Sequence, residues 1–238
     1  MTSSERKFLA SYKPSRFPRP AVTVDIVIFT LVDAVLKVLL VRRAEHPFKG
    51  RWALPGGFVR VTEDEKQGED LDAAAARELE EETGLSPRGH RILLEQLRAF
   101  GAAGRDPRMR VISVAYYALV RPTLAPLVRG GGDVSHAEWH PIDQVRALDL
   151  AFDHADILES AVARIRAEID RFAGELVPES FSIAELRAVY EAVAGRPLDP
   201  GNFRKRVLRM IDDGVLAQAP GKRVTASKPA KVYRFAKR

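Results

Sequence analysis

The sequence predicts a mixed α/β (α+β) fold: an α/β/α sandwich followed by a small winged helix-turn-helix domain. Three observations predict it. Near-continuous apolar segments rich in Val and Ile occur early in the chain, helical segments carry one apolar face, and the basic surplus is confined to the last quarter of the 238 residues. Because this length suits two domains, we expect a basic, proline-rich tail at 1–20, a sandwich domain at 21–173 and a winged-helix domain at 174–238.

The charge distribution indicates a polyanionic partner. From Glu175 to Arg238 the chain has 13 Lys and Arg against 7 Asp and Glu, which accounts for the whole net charge of +6. The preceding segment is neutral. A basic module at one end of a chain is typical of proteins that bind nucleic acid.

Composition excludes several classes of site. The chain has no cysteine, so disulfides, thiolate metal sites and cysteine nucleophiles are excluded, and a reducing cytoplasm is expected. Residues 1–20 lack the apolar run of a signal peptide, and the longest apolar stretch, 24–41, is interrupted by Asp25, Asp33 and Lys37. We therefore expect a cytoplasmic, nucleoid-associated protein with no membrane partner.

The N-terminal tail is predicted to be disordered, with a basic arm that contacts nucleic acid or a partner subunit as the alternative. It combines proline with five basic residues: Arg6, Lys7, Lys13, Arg16 and Arg19.

Hydrophobic periodicity places the elements of the sandwich domain. Its predicted strands are two within 21–43, joined as a hairpin, and those at 92–100, 110–120 and 138–141. Its predicted helices lie at 69–82, 142–148 and 153–172. The first of these helices begins at Glu69 or Asp70 and has Gly84 as its C-cap. An acidic loop is expected at 63–68, a basic, glycine-rich loop at 101–108 and a flexible connection at 130–132.

The C-terminal domain follows a predicted boundary at 174–179. A helix is expected at 182–194, with Ser182 and Glu185 as its capping box, and a second helix at 202–213. Short strands at 215–217 and 232–235 would form a β-wing. Helix, turn, helix and wing is the layout of a winged helix-turn-helix domain.

Three glutamates of the helix at 69–82 are candidate metal ligands. Glu78, Glu81 and Glu82 lie at positions i, i+3 and i+4, so their carboxylates are expected to converge. Mg²⁺ or Mn²⁺ suits such an all-oxygen site and also bridges pyrophosphate oxygens. The alternative is a solvated acidic helix face.

Residues before and after this helix are candidate ligand contacts, because guanidinium groups bind phosphates bidentately and an aromatic ring stacks on a base. The candidates are Arg42, Arg43, Arg51, Gly57, Phe58, Arg105 and Arg108. Solvated surface charge, or core packing for the aromatic ring, is the alternative.

The second C-terminal helix has a basic face opposite an apolar face, as a recognition helix in the major groove requires. Its wing adds basic residues that would reach phosphates. The candidate DNA contacts are Asn202, Arg204, Lys205, Arg206, Arg209, Lys222, Arg223 and Lys228. A solvated basic helix is the alternative.

Residues 77–85, Arg-Glu-Leu-Glu-Glu-Glu-Thr-Gly-Leu, with the loop Pro55-Gly56-Gly57, resemble the Nudix box. This is the signature of enzymes that hydrolyse nucleoside diphosphates linked to another group. The resemblance implies that Glu78, Glu81 and Glu82 bind divalent metals and that Arg77 orients Glu78. It also implies that Gly57 lets the backbone pass close to the box. Together with Glu69, Arg77 and the three glutamates form the candidate catalytic set.

The loop before the box departs from the family pattern. Gly57 and Glu63 fit the first spacing of that pattern, whereas Glu69 and Arg77 fit the second, so six extra residues are present. We take Glu69 as the box glutamate, because helix register is rigid and loop length is not. Ligand binding is expected to survive this insertion, and hydrolysis is left open.

Further motifs narrow the resemblance to the Nudix-related transcriptional regulators of NAD metabolism, over nearly the whole chain. These motifs are Leu-Pro-Gly-Gly-Phe-Val at 54–59, Glu-Gln-Leu at 95–97, Arg-Asp-Pro-Arg at 105–108, Phe-Asp-His at 152–154, Asn-Phe-Arg-Lys at 202–205 and Lys-Pro-Ala at 228–230. The resemblance implies a Nudix-like domain that senses ADP-ribose or a related NAD product. It also implies a winged-helix domain that binds a palindromic operator as a homodimer. Lys228 replaces the family's arginine, which retains the charge but weakens a bidentate contact.

We therefore predict a DNA-binding transcriptional regulator, a repressor of NAD metabolism genes, with ADP-ribose as effector and double-stranded DNA as partner. One alternative is an active Nudix pyrophosphatase acting on ADP-ribose or a nucleoside-diphosphate sugar. The other is a chain with both activities. The basic surplus favours the regulator, because a hydrolase does not need it.

Overall fold

The structure is a computed structural model that describes residues 1–13, 16–61, 68–128, 134–224 and 229–236. Three predicted features therefore lie outside the described residues: Glu63 with most of its loop, the connection at 130–132, and Lys228 of the wing.

The strands of the first domain form one mixed sheet, with seven strands in the described residues. They are β1 (Ala21–Val32), β2 (Val35–Arg43), β3 (Trp52–Ala53), β4 (Gly56–Phe58), β5 (Leu93–Phe100), β6 (Val111–Leu119) and β7 (Val134–Pro141). The central pair, β1 and β6, is parallel, and the other pairings are antiparallel. The strands predicted within 21–43 and at 92–100 and 110–120 are confirmed, whereas the strand predicted at 138–141 begins at Val134, and the short strands β3 and β4 were not predicted.

Helices cover both faces of this sheet. The helices of this part of the chain are α1 (Ser3–Ser11), α2 (Leu71–Thr83), α3 (Pro87–His90), α4 (Ile142–Val145), α5 (His154–Ala167) and α6 (Ile169–Phe172). The alternation of β1 separates the two faces: Val24, Ile26 and Ile28 share a core with α2, and Val27 and Phe29 share the other with α5. The predicted α/β/α sandwich is confirmed.

The sheet opens where β1 and β2 separate. These strands pair only at the hairpin end, from Phe29 with Val38 to Val32 with Val35. Towards the other end, β4 pairs with β1, whereas β3 pairs with β2. The separation leaves room for a cavity between the two strands.

The C-terminal domain has the predicted winged-helix layout. It consists of α7 (Ile183–Ala194), α8 (Pro200–Asp212) and the hairpin of β8 (Leu216–Arg223) and β9 (Ala230–Phe235). Ser182 and Glu185 form the predicted capping box, with the Glu185 amide donating to Ser182 Oγ at 3.2 Å.

One apolar core runs through both domains. Phe172 and Leu176 are fully buried, and they belong to the same cluster as Ile157 of α5 and Val189 of α7. Arg166 Nε of α5 also donates to the Val193 carbonyl at 2.9 Å. The predicted boundary at 174–179 is therefore packed against both domains.

Several predicted boundaries are wrong. The tail is not wholly disordered, because Thr2 and Glu5 form a capping box that begins α1. The helix predicted at 142–148 ends at Val145. The helix predicted at 153–172 divides at Glu168 into α5 and α6. The second C-terminal helix begins earlier than Asn202, because Asp199 accepts the Asn202 amide at 2.8 Å and Pro200 fits the first turn.

No helix in the described ranges is long and apolar enough to cross a lipid bilayer.

We expect Phe172→Ala to lower the free energy of unfolding by about 3–5 kcal/mol, because it leaves a cavity in the shared core. The Phe172 ring is fully buried and lies 5.6 Å from the Tyr117 ring. Urea denaturation measures the loss. Phe8→Ala is the matched control, because Phe8 is 61% exposed, and it should change stability by less than about 0.5 kcal/mol. Equal losses in the two variants would contradict a shared core.

Candidate functional site

A cavity of about 590 Å³ lies where β1 and β2 separate. It is bounded by β4, by one side of α2, by the 105–108 loop and by the first residue of α5, His154. Its volume lies in the range of nucleotide and cofactor sites. The fold therefore brings the candidate box helix and the candidate basic loop to one place.

Arg77 is the centre of an ion-pair network on α2. Its guanidinium lies 2.5 Å from Glu69, 2.6 Å from Glu78 and 3.0 Å from Glu81. It also donates to the Phe58 carbonyl at 3.2 Å. The hydrogen bonds that Arg77 donates to Glu69 and then to Glu78 raise the pKa of Arg77, so this charge is permanent. Arg77 thus ties the helix to the preceding loop.

Glu69 is the glutamate that Arg77 holds. Its two oxygens accept from Arg77 Nη2 and Nε at 2.5 and 3.0 Å, which is a bidentate pair. The hydrogen bond from Arg77 lowers the pKa of Glu69. This geometry supports the choice of Glu69 over Glu63, which lies outside the described residues.

The loop that contains the six extra residues is closed at its base. The Arg60 amide donates to Glu69 Oε1 at 2.7 Å, and the Glu69 amide donates to the Arg60 carbonyl at 3.0 Å. Gly68 adopts φ +82°, where a side chain would also meet the Arg60 carbonyl. The insertion therefore leaves the box helix and the Gly57 loop in contact.

Position 57 has no room for a side chain, so glycine is required there. A Cβ at this position would lie 2.4 Å from Glu78 Oε1. Glu78 is buried beneath the loop, and this burial raises its pKa even though Arg77 opposes the change. Glu82 is also buried, and it accepts the Gly56 amide at 3.1 Å. The expected close passage of the loop over the box is observed.

Arginines pair with two of the three candidate metal ligands. Glu78 is paired with Arg77, and Glu81 with Arg77 and with Arg60 Nη2 at 3.0 Å. Within the described ranges, no group of three or more His, Asp or Glu side chains is placed to hold a metal ion. Their oxygens suit Mg²⁺ chemically, but arginines engage the oxygens of Glu78 and Glu81. Glu78 and Glu81 meet at Arg77 Nη1 and all three glutamates line the cavity, so their role as metal ligands stays a prediction.

Arg105 supports the cavity from inside the fold. Its guanidinium is 4% exposed and lies 2.6 Å from Asp153 and 3.2 Å from Asp25. Although burial opposes the charge, the bonds to Asp153 and the charge of Asp25 raise the pKa of Arg105. Both carboxylates neutralise this guanidinium, so the structure places it as a support of the loop and not as an open anion contact.

Arg43 and Arg108 are the basic candidates that face the cavity more openly. Arg108 is paired with Asp106 at 2.7 Å, and its guanidinium lies 5.3 Å from the half-exposed Phe58 ring. Arg43 lies 4.9 Å from the Phe152 ring. Burial and the charge of Arg108 lower the pKa of Arg43, which shows that the two cations repel each other across this region. An anion between them would relieve that repulsion.

Two predicted ligand residues do not line the cavity. Arg51 is paired with Asp149 at 3.0 Å, and Arg42 donates to the Gly50 carbonyl at 3.0 Å. They lie near the junction of β2 and β3, two strands that reach the cavity through Val41 and Ala53.

Sequence reasoning gave no role to Asp25, Arg60, Phe152 or His154, all of which line the cavity. The fully packed His154 accepts the Leu54 amide through Nδ1 at 2.8 Å, so its proton is on Nε2, 3.5 Å from Asp25 Oδ1. Burial lowers the pKa of His154, and the neutral ring holds the Leu-Pro-Gly-Gly loop. The Phe-Asp-His motif at 152–154 is the sequence signal for this role.

Some of the candidate DNA-contact residues are exposed, and others are paired with groups of the protein itself. Asn202, Arg204, Lys205, Arg209 and Lys222 are exposed, whereas Phe203 and Val207 on the opposite face are buried. The other two described candidates are engaged within the protein. Arg206 pairs with Asp170 and lies 4.9 Å from the Tyr190 ring, and Arg223 donates to the Ser180 carbonyl at 2.7 Å.

Comparison with known proteins agrees with this two-part architecture. Residues 19–161 match the family model described as NUDIX domain, and residues 173–235 match the model described as NrtR DNA-binding winged helix domain. The chain is 39% identical over 237 residues to the ADPR responsive transcriptional repressor NtrR of Acinetobacter baylyi, which covers 98% of this chain and 89% of that protein.

Solved structures show the same similarity. The structure of Shewanella oneidensis NrtR complexed with a 27mer DNA has 34% sequence identity and a TM-score of 0.73, covering 90% of this chain and 93% of that one. The NUDIX domain of the same protein complexed with ADP ribose has 38% identity and a TM-score of 0.56, covering 69% and 99%.

We expect Glu69→Gln to lower the free energy of unfolding at pH 7 by about 1–3 kcal/mol, because Arg77 loses its bidentate partner. The pKa of Glu69 is lowered by folding. Its contribution is therefore present above the unfolded pKa of about 4.3 and is lost as pH falls through the folded value. The difference from wild type should shrink towards pH 3 in urea denaturation. Glu80→Gln, an exposed position on the same helix, is the control, and an equal loss there would remove the special role of Glu69.

Proposed function

Because this chain belongs to the Nudix-related transcriptional regulators, with a NUDIX domain followed by an NrtR winged helix, we propose that it represses transcription in response to ADP-ribose. The observation that carries the proposal is that one apolar core joins the cavity domain to an exposed basic recognition helix. A hydrolase needs the cavity but not a basic recognition helix.

The basic face of α8 supports DNA binding. Asn202, Lys205 and Arg209 share this face, Arg204 flanks it, and the four side chains are exposed at one helix surface. Asp199 and Pro200 fix the start of the helix, and Phe203 anchors it to Tyr190 with ring centroids 5.2 Å apart. We infer that α8 enters the major groove and that Lys222 contacts phosphate. In a homodimer, two such helices would read the half-sites of a palindromic operator.

The cavity supports recognition of a nucleoside diphosphate. Arg43 and Arg108 supply the cations for a pyrophosphate, and the Phe58 ring supplies a surface for a base. ADP-ribose contains both a pyrophosphate and a base, and the similarity of this chain to ADP-ribose-binding relatives supports it as the ligand. NAD metabolism genes follow as the proposed targets, because ADP-ribose is a product of NAD.

Helix α5 is a direct path from the cavity to the DNA-binding domain. Its first residue, His154, lines the cavity, whereas Arg166 near its other end donates to α7. Asp170, just beyond it, accepts from Tyr190 Oη at 2.8 Å and also pairs with Arg206 of α8. A ligand that shifts the N-terminus of α5 would thus shift α7 and α8 together, which changes the fit to two half-sites.

Slow hydrolysis of ADP-ribose is the second candidate function, because the box keeps Glu69, Arg77 and all three glutamates around Gly57. When bound, Mg²⁺ or Mn²⁺ would be held by Glu78, Glu81 and Glu82, and it would activate water towards the pyrophosphate. Arg77 and Arg60 would first have to release these carboxylates. Since this release costs ion-pair energy, we propose that ligand binding dominates over turnover.

We expect substitutions in one site to leave binding at the other site unchanged. Arg204→Ala with Lys205→Ala should weaken operator binding and reduce the slope of log K against log salt by about 2, because two cations are removed from the surface that faces the DNA. ADP-ribose affinity should stay near that of wild type. Arg108→Ala should do the reverse: it should weaken ADP-ribose binding and leave operator affinity unchanged without the ligand.

Fluorescence anisotropy with labelled operator DNA, with and without ADP-ribose, measures both effects. Arg88→Ala with Arg146→Ala removes the same charge from exposed positions of the first domain, so it controls for net charge. If wild-type operator affinity does not respond to saturating ADP-ribose, the sensor proposal is wrong.

We expect AMP release from ADP-ribose with Mg²⁺ to proceed below about 1 s⁻¹, the lower end of ordinary enzyme turnover. Glu81→Gln should remove whatever turnover is present and leave operator affinity near wild type, because Glu81 lies in the cavity. Chromatography of the reaction products measures the rate. Turnover at ordinary enzyme rates, with no sequence-specific DNA binding, would establish the hydrolase instead.

A further inference from the structure

A second cavity, of about 630 Å³, lies between the two domains and away from the box helix. From the first domain it is lined by the end of α3 and by the segment after β6. From the second it is lined by the segment before α7 and by the end of β8. The lining residues that matter for binding are Arg91, Arg121, Thr123, Glu179, Ser180 and Arg223. The two cavities share no residue.

Three arginines line this cleft: Arg91, Arg121 and Arg223. Arg223 is paired with Glu185, and Arg121 makes only long contacts with Glu175 and Glu179. A multiply charged anion can bridge guanidinium groups that are unpaired or loosely paired. The hydroxyl groups of Thr123 and Ser180 add hydrogen-bond donors of the kind that accompany arginine in phosphate sites.

Arg121 is incompletely satisfied within the protein. Its contacts with Glu175 and Glu179 are 3.7 Å long, which is beyond hydrogen-bond distance. Its Nε is buried and has no hydrogen-bond partner among the described residues. Glu179 is 91% exposed, so a ligand can displace it at little cost. Arg121 is therefore held near the cleft with unused hydrogen-bonding capacity.

Arg91 and Arg223 approach from the two domains. Arg91 is exposed, and no ion pair or hydrogen bond of its side chain occurs in the described part of the chain. Arg223 is oriented by Glu185 at 3.2 Å and by the Ser180 carbonyl at 2.7 Å. One anion bound by these residues would contact the first domain and the wing at once.

We propose that this interdomain cleft is a second ligand site, which binds a small polyphosphate-bearing metabolite independently of the first cavity. Three guanidinium groups match a pyrophosphate or a nucleotide polyphosphate better than a single phosphate. The volume is also sufficient for a nucleotide. Because both domains contribute contacts, the bound ligand stabilises their observed arrangement.

Calorimetric titration of the full chain with inorganic pyrophosphate tests this site, with ADP-ribose present at saturation to occupy the first cavity. Arg121→Gln should raise the Kd about tenfold, because one charged contact is lost. Glu179→Gln should lower the Kd, because the competing carboxylate is removed. If the contact between Arg121 and Glu179 is only structural, both variants should change the Kd in the same direction. A change in the same direction would therefore overturn the proposal.

Arg91→Asn provides a second test that does not depend on the Arg121 contacts. Arg91 adopts φ +53°, a conformation that asparagine tolerates, so the variant should fold normally. It should weaken pyrophosphate binding about tenfold. Arg88→Asn, the matched control on α3, should leave binding unchanged. Equal effects of these two variants, or no pyrophosphate binding by wild type at millimolar concentration, would exclude the site. These variants lie outside the first cavity, so their result is separable from the failure of ADP-ribose to bind there.

Discussion

The continuous apolar core along α5 is the constraint on which the rest of the structure depends. On one side α5 packs against the odd-numbered residues of β1, and on the other it reaches α7 through Arg166. The segment that joins the domains is buried at Phe172, Leu176 and Val177. A loosely tethered DNA-binding domain could not respond to events in the cavity, whereas a packed one must move with α5.

The charged groups of the first cavity serve two different purposes. Arg105 and Arg77 are each paired with at least two carboxylates and hold loops in place. Arg43 and Arg108 both line the cavity, and the charge of Arg108 adds to the effect of burial in lowering the pKa of Arg43. Burial distinguishes the two kinds, since Arg105 is almost fully covered and Arg108 is 42% exposed. Supporting arginines give the site its shape, and the arginines that face the cavity are its proposed anion contacts.

The box helix shows how a hydrolase signature can serve in a binding protein. Arg77 and Arg60 pair with the carboxylates of Glu69, Glu78 and Glu81. The inserted loop leaves this network intact, because the Arg60 and Glu69 backbones pair at its base. Retention of the box therefore has a structural explanation that does not require turnover: it anchors the loop that forms one wall of the cavity.

The sequence by itself determined the sandwich and the winged helix, because alternation in β1, helical spacing in α5 and the capping box at Ser182 are local patterns. It also determined the choice of Glu69, which follows from spacing to Arg77. Only the tertiary structure decided which arginines are available to a ligand. The sequence does not show that Arg105 is paired with Asp153, which is distant in the chain, or that the loop after β2 folds back so that Arg42 donates to the Gly50 carbonyl. The box glutamates all lie within Leu54–Leu85 and can be found from the sequence. The contact of His154 with Leu54 and the interdomain cleft both depend on residues far apart in the chain, so only the structure shows them.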